Sequence, residues 1–203
     1  MRTIHCLAAV LSASAILAVQ ARADSLSIGS KIPDTGVKMK NVDGNQVTIA
    51  AVAGPKGTLV VFTCNHCPFA KAWQSRLVEL GNAYPAKGVG VIAINSNDPT
   101  NYQEDDFPVM QARAKENGFQ FPYVVDSTSD VARDFGASHT PEAFLFDKDG
   151  KLVYHGAIDD DRDPASVTKH YLRDALDAVV AGAPVPIAET KSVGCSIKFR
   201  PKA

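Results

Sequence analysis

The sequence has no excess of either charge: 21 Lys and Arg residues face 22 Asp and Glu residues, a formal net charge of −1 over 203 residues. That balance supplies no basic field for holding nucleic acid and no polybasic membrane patch. Repeats and low-complexity tracts are absent. The apolar run near the N-terminus, Leu7 to Val19, falls short of the roughly 18 to 20 residues that cross a bilayer. Cysteine is scarce, with four residues, and what they mean depends on the compartment the chain reaches.

Arg2 and His5 precede the apolar run, and Ala21-Arg22-Ala23 follows it ahead of Asp24. Small residues at these positions are what a signal peptidase accepts, so residues 1–23 read as a signal peptide cleaved after Ala23. The expectation is a secreted, periplasmic protein with no membrane anchor after cleavage. Cys6 departs with the signal. Cys64, Cys67 and Cys195 remain, an odd number that cannot all pair internally.

Beyond the signal, residues 24–182 read as one α/β domain and residues 183–203 as a C-terminal tail. Val37 to Lys40 and Gln46 to Ile49 flank Val42-Asp43-Gly44-Asn45 and predict an N-terminal β-hairpin. Leu59-Val60-Val61-Phe62 is a continuous apolar run of the kind a strand covered on both faces shows. Phe69, Ala70, Trp73, Leu77, Leu80 and Tyr84 then recur at helical spacing, and Val89 to Ile94 repeats the buried-strand pattern. Strand, helix and strand make a right-handed crossover unit. A helix from about Glu104 to Asn117, a strand Tyr123 to Val125, a short helix near Asp130 to Phe135 and a hairpin turning at Asp147 to Gly150 follow. The last helix is expected to start at Asp163, an N-cap with Pro164 behind it. Regular structure is expected to end near Ala183. Asp159-Asp160-Asp161 and Asp163 read as a solvated turn and cap in preference to a cation site.

Cys64-Asn65-His66-Cys67 lies where the first buried strand meets its helix. A thiol at a helix start faces unpaired N–H groups and the positive end of the dipole, which favour thiolate. An imidazolium at His66 would add to this. Cys64 is therefore expected exposed, below the free-thiol value of about 8.5, and attacking, with Cys67 one turn away and resolving. Metal alternatives are zinc completed by Cys195 and a histidine, and copper(I) held by Cys64, Cys67 and a histidine.

Taken together, the strand, the Cys-x-x-Cys, its helix and the later Thr140-Pro141 resemble a thioredoxin-like fold, a central mixed β-sheet flanked by helices. Phe121-Pro122, Asp126, Phe135-Gly136, Phe146-Asp147 and Gly150 resemble the alkyl hydroperoxide reductase and thiol-specific antioxidant branch. Thr63 to Pro68, Asn95-Ser96-Asn97-Asp98 and Gly194 to Lys198 resemble its peroxiredoxin-like group with a Cys-Asn-His-Cys centre. The resemblance spans residues 27–200. It implies a cis bond before Pro141, a Thr140 backbone free to pair with an incoming peptide, and His139 near the dithiol.

Two positions depart from the better-known patterns. Thioredoxin's buried aspartate, six residues before its first cysteine, is here Thr58, and the peroxiredoxin hydroxyl three residues before the attacking cysteine is here Cys64. The expected activity is thiol–disulfide exchange through Cys64 and Cys67, with His66 tuning, Thr140 and Pro141 shaping access and Cys195 as a possible resolving thiol. The alternatives are a thiol peroxidase and a copper carrier. Expected partners are protein or small-molecule thiols and disulfides, or peroxide, with no cofactor.

Overall fold

An unbroken apolar run such as Leu59 to Phe62 forms a strand where both faces are covered, and β3 (Gly57–Phe62), with Thr58 its polar residue, is buried along its whole length. In the computed structural model, which describes residues 25–202, it runs through the centre of a seven-stranded sheet. Its neighbours are β4 (Val89–Asn95), parallel, and β7 (Glu142–Asp147), antiparallel. Outside β4 lie β5 (Tyr123–Val125) and the hairpin of β1 (Met39–Asn41) and β2 (Gln46–Val47). Outside β7 lies β8 (Leu152–Gly156). The fold is thioredoxin-like and α/β, as expected.

Alternation along β3 splits the core in two. Leu59 and Val61 face Trp73, Leu77 and Leu80 of α2 (Pro68–Ala83) and Leu172 and Leu176 of α5 (Tyr171–Ala181). Val60 and Phe62 face Val131 and Ala132 of α4 (Asp130–Asp134), together with Phe135 and Phe144. α3 (Phe107–Glu116) closes the first layer through Met110 and Ala114. No helix among the described residues is long and apolar enough to cross a membrane, and the signal-peptide segment lies outside the described residues.

Three local expectations change. The hairpin is shorter because Thr48 accepts the Ala51 N–H and starts α1 (Ile49–Val52), which removes Ile49 from the strand. Asp163 caps only a 3-10 turn, Pro164–Ser166. The Asp160 carboxylate takes the N–H groups of Thr168 (2.9 Å) and Lys169 (3.0 Å), which holds the chain out of a helix until Tyr171. That capture also accounts for Asp160 as a turn residue, held down to about pKa 2 by the Thr168 hydroxyl and these N–H groups. Finally, the tail forms β9 (Cys195–Ser196), paired antiparallel with β6 (His139–Thr140).

Candidate active site

β3 delivers the chain to the site. Thr63 adds one more N–H bond, 2.9 Å to the Ile94 carbonyl, and the backbone then turns through Cys64, Asn65 and His66 into α2. Cys67 is the N-cap residue, with extended backbone and Pro68 at the first helical position. No side chain caps this helix, so the Cys67 sulfur faces the N–H groups of its first turn, and that of Ala70 helps to lower its pKa. Both cysteines are buried, Cys64 3% and Cys67 0% exposed. All three cysteines of the described residues are free thiols.

Two walls enclose the pair. On one side stands Asp105, its carboxylate fully buried. It accepts from the Asn65 N–H (2.6 Å), the His66 N–H (3.3 Å), the His66 ring Nδ1 (2.5 Å) and the Asn97 amide (2.9 Å). Tyr102 stacks on the His66 ring at 4.3 Å, and the Tyr123 hydroxyl donates to Asn65 at 3.0 Å. On the other side, the cis Thr140–Pro141 peptide presents Thr140. Its hydroxyl lies 3.1 Å from the Cys64 sulfur, and its carbonyl lies 3.3 Å from the Cys67 sulfur and accepts from it when it is protonated. Cys195 packs against the same cluster.

The surroundings push the two sulfurs in opposite directions. The Cys64 thiol donates to Cys67, and donors from Cys195 and Ala70 add to it. Against the opposing effect of burial they bring Cys67 down to about 4. Cys64 moves the other way, raised by giving its proton to that hydrogen bond, by burial and by the Asp105 charge. The His66 ring is paired with Asp105, and one of its nitrogens lies within 4.8 Å of the Cys64 sulfur. The His139 ring is turned to the Ser138 hydroxyl at 2.8 Å.

The Thr140 wall has its own anchor. Burial alone would raise Glu142, but hydrogen bonds from His155 and from the Ser138 and His139 N–H groups outweigh it and hold the carboxyl below its ordinary range. The distances are 2.7, 2.7 and 2.8 Å. Thr140, expected at the dithiol from the resemblance, lies against both sulfurs and is joined to Pro141 by a cis bond, whereas Asp105, Tyr102 and Glu142 were not expected there. For metal, the atoms that converge are one each from Cys64, His66 and Asp105, within 4.8 Å of one another. Asp105 replaces the second thiolate of the copper set, and a carboxylate is a hard donor that suits zinc better than copper(I).

The AhpC/TSA family model matches residues 28–155, more than half of the chain. The chain belongs to the AhpC/TSA family. This AhpC/TSA protein is an oxidoreductase, and its similarities agree. An uncharacterized conserved protein of Geobacillus kaustophilus superposes with a TM-score of 0.81 at 44% identity, covering 87% of this chain and 94% of that one. A hypothetical protein of Sinorhizobium meliloti gives 0.81 at 36% identity, with 87% and 97% coverage. Thiol-disulfide oxidoreductase ResA of Bacillus thuringiensis is 27% identical over 130 residues, 64% of this chain and 69% of that protein.

Proposed function

We propose that the chain is an exported thiol–disulfide oxidoreductase working through Cys64 and Cys67. The observation that carries this reading is a pair of free thiols where β3 turns into α2, with the Thr140 hydroxyl 3.1 Å from one sulfur and its carbonyl 3.3 Å from the other. Cys67 attacks one sulfur of a disulfide, a thiolate leaves, and a mixed disulfide forms. Cys64 then gives up its proton and displaces the second thiol, closing the Cys64–Cys67 bond. The buried Asp105, held with His66, is the group placed to accept that proton. It supplies from a different element the carboxylate that Thr58 does not. Thr140 and Pro141 bound the approach to the sulfurs. Export rests on residues 1–23, and N-terminal sequencing of the processed protein should begin at Asp24.

A thiolate this stable favours the reduced dithiol and makes the disulfide a strong oxidant. Redox titration of the Cys64/Cys67 couple should give a potential nearer about −120 mV than about −270 mV. A value at or below the lower figure, or no two-electron couple at all, would overturn the reading. A second reading, peroxide reduction at Cys67, draws on the same thiolate. A sulfenic acid there would condense with a neighbouring thiol, and peroxide-dependent thiol loss faster than disulfide-dependent loss would favour it.

A further inference from the structure

The strand edge at Thr140, where an extended peptide would pair, is already taken by the chain's own tail. β9 lies antiparallel on β6 with Cys195 directly opposite Thr140 and Ser196 opposite His139. Gly194 permits the approach: a Cβ there would lie 2.1 Å from the Thr140 carbonyl oxygen. Beyond β9 the tail is clipped on by hydrogen bonds, from Ile197 N–H to Ser138 O (2.9 Å), from Lys198 N–H to the Asn97 side chain (2.7 Å) and from the Arg200 guanidinium to Asp126 O (2.7 Å). Ile197 is its buried apolar anchor, while Val193 and Phe199 are exposed.

Access to the three sulfurs differs as sharply. Cys64 and Cys67 are buried, whereas Cys195 is partly exposed and packs on Cys67. A disulfide arriving from solvent meets Cys195 first, and exchange requires the attacking sulfur to reach its target.

We propose that Cys195 is a third redox cysteine that carries electrons between the buried dithiol and an external small-molecule disulfide. The proposal rests on the Cys64–Cys67 reading above. Cys195 attacks one sulfur of the disulfide RSSR. Its proton is lost to solvent and the departing thiolate takes one up from solvent, so one RSH leaves and a Cys195–SR bond remains. Cys67 as thiolate attacks the Cys195 sulfur, breaking that bond, releasing the second thiolate and forming a Cys67–Cys195 disulfide. Cys64 loses its proton by way of Asp105 to the second departing thiolate and attacks the Cys67 sulfur. The Cys64–Cys67 disulfide closes, and Cys195 leaves as a thiolate that takes a proton from water. Two electrons pass from the dithiol to RSSR and two thiols are produced. Run backwards, the same steps reduce the protein.

The test uses oxidised glutathione on the processed chain and two variants, read by mass spectrometry and stopped flow. Cys64→Ser halts the relay at its second stage, so one equivalent of oxidised glutathione should produce an intramolecular Cys67–Cys195 disulfide. A glutathione adduct on Cys67 or Cys195 that never converts to that link overturns the relay. Cys195→Ser keeps the tail in place and removes only the sulfur, and oxidation of the dithiol should slow about tenfold or more if access limits exchange. An unchanged or faster rate also overturns the relay. Cys195→Ser tests the underlying reading separately. If prolonged oxidation still closes Cys64–Cys67, a failed relay leaves that reading standing; if the bond never closes, the reading falls by itself.

Discussion

Cys64 and Cys67 lie on one short segment yet occupy opposite electrical environments. The Cys64 side is a polar wall centred on a buried carboxylate, Asp105, which opposes a second negative charge. The Cys67 side is the start of α2, where backbone and thiol donors converge on one sulfur. Spacing brings two thiols together, but the groups around them decide which one is ionised. Helix starts favour thiolate, and the residue that caps this helix is the second cysteine.

The largest expected effect separates the two sides outright. Cys67→Ser should reduce disulfide turnover to the buffer background. Cys64→Ser should retain the first attack and accumulate a disulfide on Cys67, visible as a mass shift. Attack surviving in Cys67→Ser but not in Cys64→Ser would reverse the comparison. Next in size is Glu142→Ala, which strands His155 and two backbone N–H groups on the Thr140 wall. Breaking a buried pair of this kind costs about 3 to 5 kcal/mol, so urea unfolding should shift by that amount. A loss within the range of an exposed ion pair, about 1 kcal/mol or less, would show that the wall stands without its anchor.

The pH dependence sharpens the electrical contrast. Cys67 in the folded protein lies below its ordinary thiol value of 9.0. The stability its ionisation contributes is therefore fully present above about pH 9, declines as pH falls and is gone below about pH 4. Thiolate absorbance in the ultraviolet should hold steady through neutral pH and disappear with a midpoint near 4. A midpoint near the free-thiol value would remove the basis of the contrast. The smallest effect on the thiolate midpoint is expected from Asp105→Asn, which takes away the charge facing Cys64 and the group placed to accept its proton. The Cys67 midpoint should change little, while closure of the Cys64–Cys67 bond after the first attack should slow. A moved Cys67 midpoint with unchanged closure would mean that the wall acts on the other sulfur.

Much of the fold was legible because strand burial leaves a direct trace. The unbroken run Leu59 to Phe62 announced β3, and helical spacing from Phe69 to Leu80 announced α2. Thr140 and Pro141 came from the resemblance, and the cis peptide agrees with it. Asp105 was not legible. It sits in Glu104-Asp105-Asp106, three acids ahead of a helix, and two of them are exposed as such residues usually are. Its partners Asn65 and His66 are about 40 positions away, a distance no local pattern encodes. The start of the last helix was misplaced for a similar reason, because Asp160 reaches eight residues ahead to take the N–H of Thr168. The opposed shifts of the two thiols were hidden because they depend on which residue caps the helix, and sequence-based boundaries drift by a residue or two.

Thr190 gives the tail a fixed point well before Cys195. Its hydroxyl accepts the Ala157 N–H at 2.9 Å and meets the Tyr154 hydroxyl at 2.9 Å. Gly156 makes the room, since a Cβ there would lie 2.1 Å from that same oxygen. If β9 lifts away while Thr190 stays seated, the five residues to Cys195 extend to about 17 Å at most. The third thiol then behaves as a ligand on a short leash, with an effective concentration around the millimolar level or above. It stays close enough to return faster than a free thiol in dilute solution could arrive.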